Sequence, residues 1–500
     1  VTDTTASTPT PPTTGMFESL NPATGDVVGT FPVHGPDDMA AAVDAARIAQ
    51  QWWWDLGWKE RRRRLIAWRS YLRRHLDELA DLVHRETGKP RWDAESIDVI
   101  ATVLHLDWAA KHAEHTLGTT RVSPGILAHL RAEISYEPHG VVGVIGPWNY
   151  PLFTPMGSIS YALAAGNAVI FKPSEFTPAT GVWLAESFRH VVPEQPLLQT
   201  LTGYGPTGQA LVESGVDKIS FTGSAKVAKV IGAMCGERLL PYSPEAGGKD
   251  AVIVDHDADL SRAVRGALWG ALMNSGQSCA GVERVFVHQD VYEEFMDRLV
   301  ISARELRAGW DADAHYGPIT RPAQFDLVKQ HFDEAVAHGA QVRVGGEASF
   351  RRPFIEPVVL TNAPDDSVVM TDETFGPLMV VEQVRDREQA IHESNAHDYG
   401  LGAAVYSRSY GKQIARRLRT GMVSINAVLV QGAVPSLPWG GLGHSGYGRI
   451  HGEEGLRSFG RSKSVVDPMF GLPAFADVYS FEVSEQTKQT FRWVTKMLFT

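Results

Sequence analysis

An α/β protein with two parallel sheets, each covered by helices, is the fold class this chain of 500 residues predicts. Three observations carry it. Between Val141 and Ile253, continuous apolar runs such as Val141–Ile145, Ala168–Phe171 and Lys218–Phe221 alternate with helical stretches, as in a parallel sheet buried on both faces. A second alternating series runs from Ala251 to about Gly440, with Arg284–Val287 and Leu378–Val381 as candidate strands. The length, with 43% of residues hydrophobic, exceeds what one simple core organises and indicates two large domains with smaller elements.

The elements follow in chain order. Residues 1–15 are rich in Thr and Pro, without the basic and apolar regions of a secretory signal, and are expected to be a disordered leader. From Asp37 to Gln50, Met39, Val43, Ala46 and Ile48 mark a short helix with acidic residues at its positive end. One longer amphipathic helix is expected next, because Leu65, Trp68, Leu72, Leu76, Leu79 and Val83 recur every three or four residues until Gly88-Lys89-Pro90. Glu133–Glu137 alternates as an exposed or paired antiparallel strand does. Apolar residues Phe491, Trp493, Val494, Met497, Leu498 and Phe499 in the final segment indicate a helix, packed on a neighbouring subunit or over an entrance.

Composition narrows the function classes. With 47 basic against 58 acidic residues the net charge is −11, which disfavours nonspecific binding to nucleic acid or to anionic membranes. The run Trp52-Trp53-Trp54 followed by Arg61-Arg62-Arg63-Arg64 could stack bases and hold phosphates, but its place at a helix start favours packing of guanidinium stems on apolar surface. No uninterrupted apolar run is long enough to cross a bilayer, so no membrane partner is expected. Two cysteines are too few for a disulfide framework, and a free reactive thiol fits a reducing, cytoplasmic setting. The 18 histidines lack metal-ligand spacing, so no metal is expected.

The chemistry concentrates in three segments. Asn274-Ser275-Gly276-Gln277-Ser278-Cys279 sets a cysteine among small and polar neighbours. Glu245-Ala246-Gly247-Gly248-Lys249 sets a carboxylate beside a glycine pair, and Gly146-Pro147-Trp148-Asn149-Tyr150-Pro151 places an amide on a proline-fixed turn after a strand. Together with Asn21-Pro22-Ala23-Thr24-Gly25, Glu86-Thr87-Gly88-Lys89-Pro90, Phe171-Lys172-Pro173-Ser174-Glu175, Phe221-Thr222-Gly223-Ser224 and Glu373-Thr374-Phe375-Gly376-Pro377, these blocks make the chain resemble the aldehyde dehydrogenase superfamily from about Asn21 to about Phe459.

The resemblance implies a domain plan and a reaction. Residues 16–117 and 138–247 would form the NAD-binding domain, 248–441 the catalytic domain, 118–137 and 455–470 a bridging element that joins subunits into a homodimer or homotetramer, and 471–500 a C-terminal tail. Cys279 would attack the aldehyde, Asn149 and the backbone N–H of Cys279 would stabilise the oxyanion, and Glu245 would activate water to cleave the thioester. Lys172 and Glu175, with Ser174 beside them, would hold the adenosine ribose, favouring NAD over NADP because a carboxylate repels the extra phosphate. Glu373 would hold the nicotinamide ribose with Phe375 packed against it, while Trp148, Gly205, Phe221, Gly223 and Ser224 line the dinucleotide path.

Gly203–Gly208 matches the GxGxxG spacing but lacks the acidic residue that a standard dinucleotide fingerprint places about twenty positions on. Three departures from the family pattern are Ala228 for a glycine, Ala246 for a leucine and Ile450 for an acidic relay, expected respectively to alter pyrophosphate approach, loosen the base loop and remove a proton path. Tyr150, Met273 and Trp439 are expected in the substrate pocket, with Gly157 widening its wall. An aliphatic or aromatic aldehyde fits that lining better than a polar semialdehyde, and cofactor-independent ester hydrolysis by the same thiol is the alternative reaction class.

Overall fold

A computed structural model describes residues 14–125, 127, 129–469 and 481–499. Most of the expected leader, residues 1–13, and the start of the expected tail lie outside the described residues.

Two parallel sheets organise the chain. The first has five strands in the order Leu198–Thr200, Ala168–Lys172, Val141–Ile145, Lys218–Thr222 and Tyr242–Glu245, all pairs parallel. Val141–Ile145 and Ala168–Lys172 are buried along their whole length, which is why they lack the alternation of a half-exposed strand. The second sheet has seven strands, and its inner order is Leu378–Val384, Val282–His288, Asp250–Val254, Gly402–Tyr406, Met422–Ile425. Its far edge is closed by Val358–Thr361 and then the antiparallel strand Gln341–Val344.

Because every pair in the first sheet is parallel, residues 146, 172, 201, 223 and 245 all emerge at one edge, the carboxyl edge where α/β sheets hold ligands. A third sheet is antiparallel. The strand Leu130–Pro138 pairs with Thr120–Val122 on one side and with Gly460–Pro468 on the other, and covers the expected strand Glu133–Glu137.

The helices differ from expectation in two places. Pro36–Asp55 buries Met39, Val43, Ala46 and Trp53, but Ile48 points to solvent, because the inner stripe runs through Ala42 and Ala49 instead. The single long helix is in fact two, Gly57–Arg74 and Leu76–Thr87, broken at His75. Apolar spacing carries across such a break, so periodicity alone does not reveal it. Gly88, at φ 79°, ends the second helix in a left-handed conformation that favours glycine.

The tryptophan and arginine run is absorbed by packing. Trp53 is buried and donates to the Leu163 carbonyl at 2.8 Å, Arg61 lies buried between the Trp54 and Trp58 rings, and Arg64 pairs with Glu60 and Glu194. At the end of the chain, Glu485–Leu498 is a helix with Trp493 and Met497 exposed. No described helix is long and apolar enough to cross a membrane.

Candidate active site

Three segments converge on one cavity of about 230 Å³, bordered by both Cys279 and Glu245. The loop bringing in Cys279 is under backbone strain. Asn274 and Ser275 are consecutive non-glycine residues at positive φ (51° and 59°), followed by Gly276 at 70°. Such conformations cost about 1–3 kcal/mol each and persist only where the surroundings enforce them.

Here the enforcement is visible. Asn274 donates to the carbonyls of Asn149 (3.0 Å) and Gln277 (3.2 Å), Ser275 Oγ donates to the Gly317 carbonyl (2.7 Å), and the Gln277 amide bridges the Pro318 carbonyl and the Thr320 N–H. A Cβ on Gly276 would meet the Gly376 carbonyl oxygen at 2.1 Å, so only glycine passes there. The half-buried Cys279 therefore sits on a loop held from several sides.

Glu245 ends the strand Tyr242–Glu245 and is buried. The loop after it, which carries the small Ala246 side chain, is held through its backbone. Ala246 N–H donates to the Ser445 carbonyl at 3.1 Å, Glu245 forms a backbone bridge with Gly446, and Ala246 is itself buried. The Glu245 Oε1 atom is buried without a hydrogen-bond partner. Burial pushes the Glu245 carboxyl above its ordinary value, although Cys279, Trp439 and Thr222 favour its charged form. Burial likewise pushes the Cys279 thiol up, and the negative charge of Glu245 adds to it. Each group thus resists losing its proton while the other is ionised.

Asn149 is placed by a device that sequence reasoning left unassigned. Its backbone carbonyl accepts from Lys89 Nζ at 2.8 Å, and Lys89 forms a fully buried ion pair with Asp98 at 2.6 Å. The second oxygen of Asp98 accepts from the Phe153 N–H at 3.2 Å. One amide hydrogen of Asn149 is committed to the Gln277 carbonyl at 3.0 Å, which fixes the side chain and leaves the other free to donate. Lys89 lies in the segment Glu86–Pro90, where nothing local in the sequence marks its role, and Asp98 belongs to a π-helix, Ala94–Ile100, for which the sequence carries no periodic signal.

The residues expected around the dinucleotide cluster at the carboxyl edge. Lys172 ends its strand, is buried, and stands 3.6 Å from Glu175, with the Ser174 hydroxyl 3.5 Å from the same carboxylate. Phe221 and Gly223 lie in the strand Lys218–Thr222, on the other side of Val141–Ile145, and in the turn after it, and Ser224 caps the helix Ala225–Glu237, accepting from Val227 N–H at 3.4 Å. Ala228 lies buried in the first turns of that helix. Gly205 opens the helix Gly205–Glu213 with free space around its Cα.

From the second sheet, the Glu373 carboxylate accepts from Gly248 N–H at 2.9 Å, where the missing Cβ of Gly247 leaves it room. The Phe375 ring meets Trp148 edge to face, centroids 5.4 Å apart. Glu283, unforeseen in the sequence, holds this loop by accepting from the N–H groups of Thr374 and Phe375 while pairing with the buried Lys249.

The cavity wall contains Tyr150, Met273 and Trp439 together with Ile97, Phe153, Trp269, Val428 and Ile450. No Lys or Arg borders it among the described residues. Gly157 does not widen it. The space beside Gly157 is filled by the His451 ring, whose Nε2 would lie 2.4 Å from an added Cβ. Ile450 is bound to Trp439 by a reciprocal pair of backbone hydrogen bonds (2.7 and 2.9 Å), so the position of the absent acidic relay is an apolar wall.

A thiol and a carboxylate bordering one apolar cavity, at the carboxyl edge of a doubly covered parallel sheet, define an α/β enzyme site. The chain belongs to the aldehyde dehydrogenase family, whose model matches residues 10–465, and it is an oxidoreductase acting on the aldehyde group. It is 34% identical over 470 residues to the 4,4'-diapolycopene aldehyde oxidase of a Methylomonas species, covering 93% of this chain and 88% of that protein. It is 34% identical over 469 residues to the "putative succinate-semialdehyde dehydrogenase NADP(+) 2" of Mycobacterium tuberculosis, covering 90% of each. The NAD+ complex of an aldehyde dehydrogenase from Bacillus cereus superposes with a TM-score of 0.87 at 32% identity, covering 91% of this chain and 94% of that one. The family uses NAD or NADP.

Proposed function

We propose that this protein oxidises an apolar aliphatic or aromatic aldehyde to its carboxylic acid with NAD, through a covalent intermediate on Cys279. The observation that carries this reading is the shared cavity: among the described residues, the thiol, a single bordering carboxylate and an apolar wall without Lys or Arg meet in one space. A remote carboxylate, as on succinic semialdehyde, would be buried there unpaired, which is strongly unfavourable. The similarity to the 4,4'-diapolycopene aldehyde oxidase of Methylomonas agrees with such a wall.

The residues present fit a dinucleotide. Lys172, Glu175 and Glu373 supply polar groups for two ribose hydroxyl pairs, and Phe221, Gly223 and Ser224 lie between them along the carboxyl edge. The bound nicotinamide would supply the acceptor for the hydride leaving the substrate carbon. Glu175 next to Lys172 disfavours a 2′-phosphate, and that supports NAD.

The chain's own groups do the rest. Cys279 Sγ, once deprotonated, bonds the aldehyde carbon, and the developing oxyanion is met by the free amide hydrogen of Asn149 and the N–H of Cys279. After oxidation the acyl group remains on sulfur as a thioester. Glu245 takes a proton from water, which attacks the acyl carbon and releases the acid and the thiol. A carboxyl group held above its ordinary value by burial is the better base for that step.

The test is reduction of NAD and of NADP by a panel of aldehydes, followed at the absorbance of the reduced nicotinamide. Turnover of hydrophobic aldehydes with NAD is expected. Ester cleavage with no nicotinamide reduced by any aldehyde would instead identify a hydrolase.

A further inference from the structure

We propose that the aldehyde taken by this site carries a linear hydrocarbon chain longer than the cavity, and that the far end of the chain lies on an exposed apolar rim formed by Ile100, Leu104, Trp269, Val430, Val434 and Leu437. The inference rests on the reading of the cavity as the aldehyde site and adds the chain length that this reading leaves open.

The cavity is small, and it is not closed. Its volume of about 230 Å³ falls below the roughly 300–1,000 Å³ of pockets that enclose a drug-sized ligand. Trp269 and Val430 border it and yet are 47% and 50% exposed, so they stand where it opens to solvent. A chain that sets its aldehyde carbon at Cys279 and outgrows the space leaves past these two side chains.

Apolar surface continues outside that opening. Ile97 and Ala101 border the cavity, and Ile100 and Leu104 complete with them the i, i+3, i+4, i+7 spacing of one helix face. Such a face is ordinarily turned to a core, but here Ile100 and Leu104 are exposed. The second lip follows Val430. Val434 comes directly after Ala433, which borders the cavity, and the Leu437 N–H donates to the Val434 carbonyl at 3.0 Å; both side chains are exposed. One residue after Leu104, His105 Nε2 stands 2.9 Å from the Gly432 carbonyl, which ties the helix to the loop and brings the two lips together.

Single apolar residues on a surface are ordinary, whereas a group of them beside one opening marks a binding surface. Continuity with the cavity names the occupant, because the wall inside and the rim outside form one apolar path from Cys279. A tail on the rim stays partly in water, so each methylene there gains less than one enclosed by the cavity.

The experiment measures kcat/KM with NAD for straight-chain alkanals from about four to about twelve carbons, in the wild type and in a variant carrying Leu104→Gln and Val434→Gln, two exposed positions that do not border the cavity. In the wild type kcat/KM is expected to rise across the whole series, by about twofold to fourfold per methylene at first and less steeply for the longest members. The variant is expected to match the wild type within about twofold for the shortest alkanals and to fall about 10-fold below it for the longest. A wild-type profile that peaks or levels off among the short alkanals would overturn the proposal, a result that stands even if the variant fails to fold. So would equal losses in the variant at every length. A changed subunit number in the variant by sedimentation, with the length profile kept, would assign the rim to a second copy of this chain and likewise overturn it. Inactivity of the wild type toward every aldehyde, short ones included, would instead overturn the underlying functional reading.

Discussion

The thiol of Cys279 and the carboxylate of Glu245 border one cavity, and burial raises both above their ordinary values. The reactive form of each is the deprotonated one, so activity is expected to fall as pH drops and to rise on the alkaline side of neutrality; kcat/KM that is flat from acid to alkaline pH would contradict this. Cys279→Ala is expected to abolish aldehyde oxidation while NAD still binds, as measured by fluorescence titration. Losing the Asn149 amide should slow turnover about 100-fold to 1,000-fold with little change in NAD binding, because a preformed oxyanion donor acts mainly in the transition state. Removing the Glu175 carboxylate should raise the preference for NADP relative to NAD about tenfold, read from the two kcat/KM values. Cys279, Glu245 and Asn149 stood out in the sequence because their motifs are local. His451 did not, since one histidine among 18 carries no mark of the space that Gly157 leaves for its ring.

At the scale of elements, the site depends on segments that position others. The Lys89 to Asp98 pair ties the π-helix Ala94–Ile100 to the turn bearing Asn149. Lys89→Met leaves Asp98 buried and unpaired, with an expected loss of about 3–5 kcal/mol in unfolding free energy by denaturant titration. Within a few tenths of wild-type stability, that variant would show the pair to be dispensable. Strands such as Val141–Ile145 were readable because burial on both faces leaves an unbroken apolar run. The break at His75 and the π-helix were not, because both keep the apolar spacing of a continuous helix or have no repeating pattern at all. The left-handed pair Asn274 and Ser275 was also invisible, being enforced by groups distant in the chain.

For the whole molecule, the two parallel sheets bring distant motifs to one edge, and the third sheet faces outward. Its strand Gly460–Pro468 pairs on one side with Leu130–Pro138, and Val465 and Val466 are exposed. The expected homodimer or homotetramer would cover such an edge. Analytical ultracentrifugation is expected to find an oligomer that Val466→Lys weakens, and a monomeric wild type would contradict the assembly. The two sheets were legible in outline, from alternating runs and family blocks, whereas the wall of the cavity depends on chain crossings that no local pattern encodes. The central claim is that the acyl group passes through sulfur. Glu245→Gln enzyme, quenched during a single burst of NADH formation and analysed by mass spectrometry after digestion, should carry the acyl mass on the peptide holding Cys279. NADH formed in stoichiometric burst with Cys279 unmodified would contradict the account.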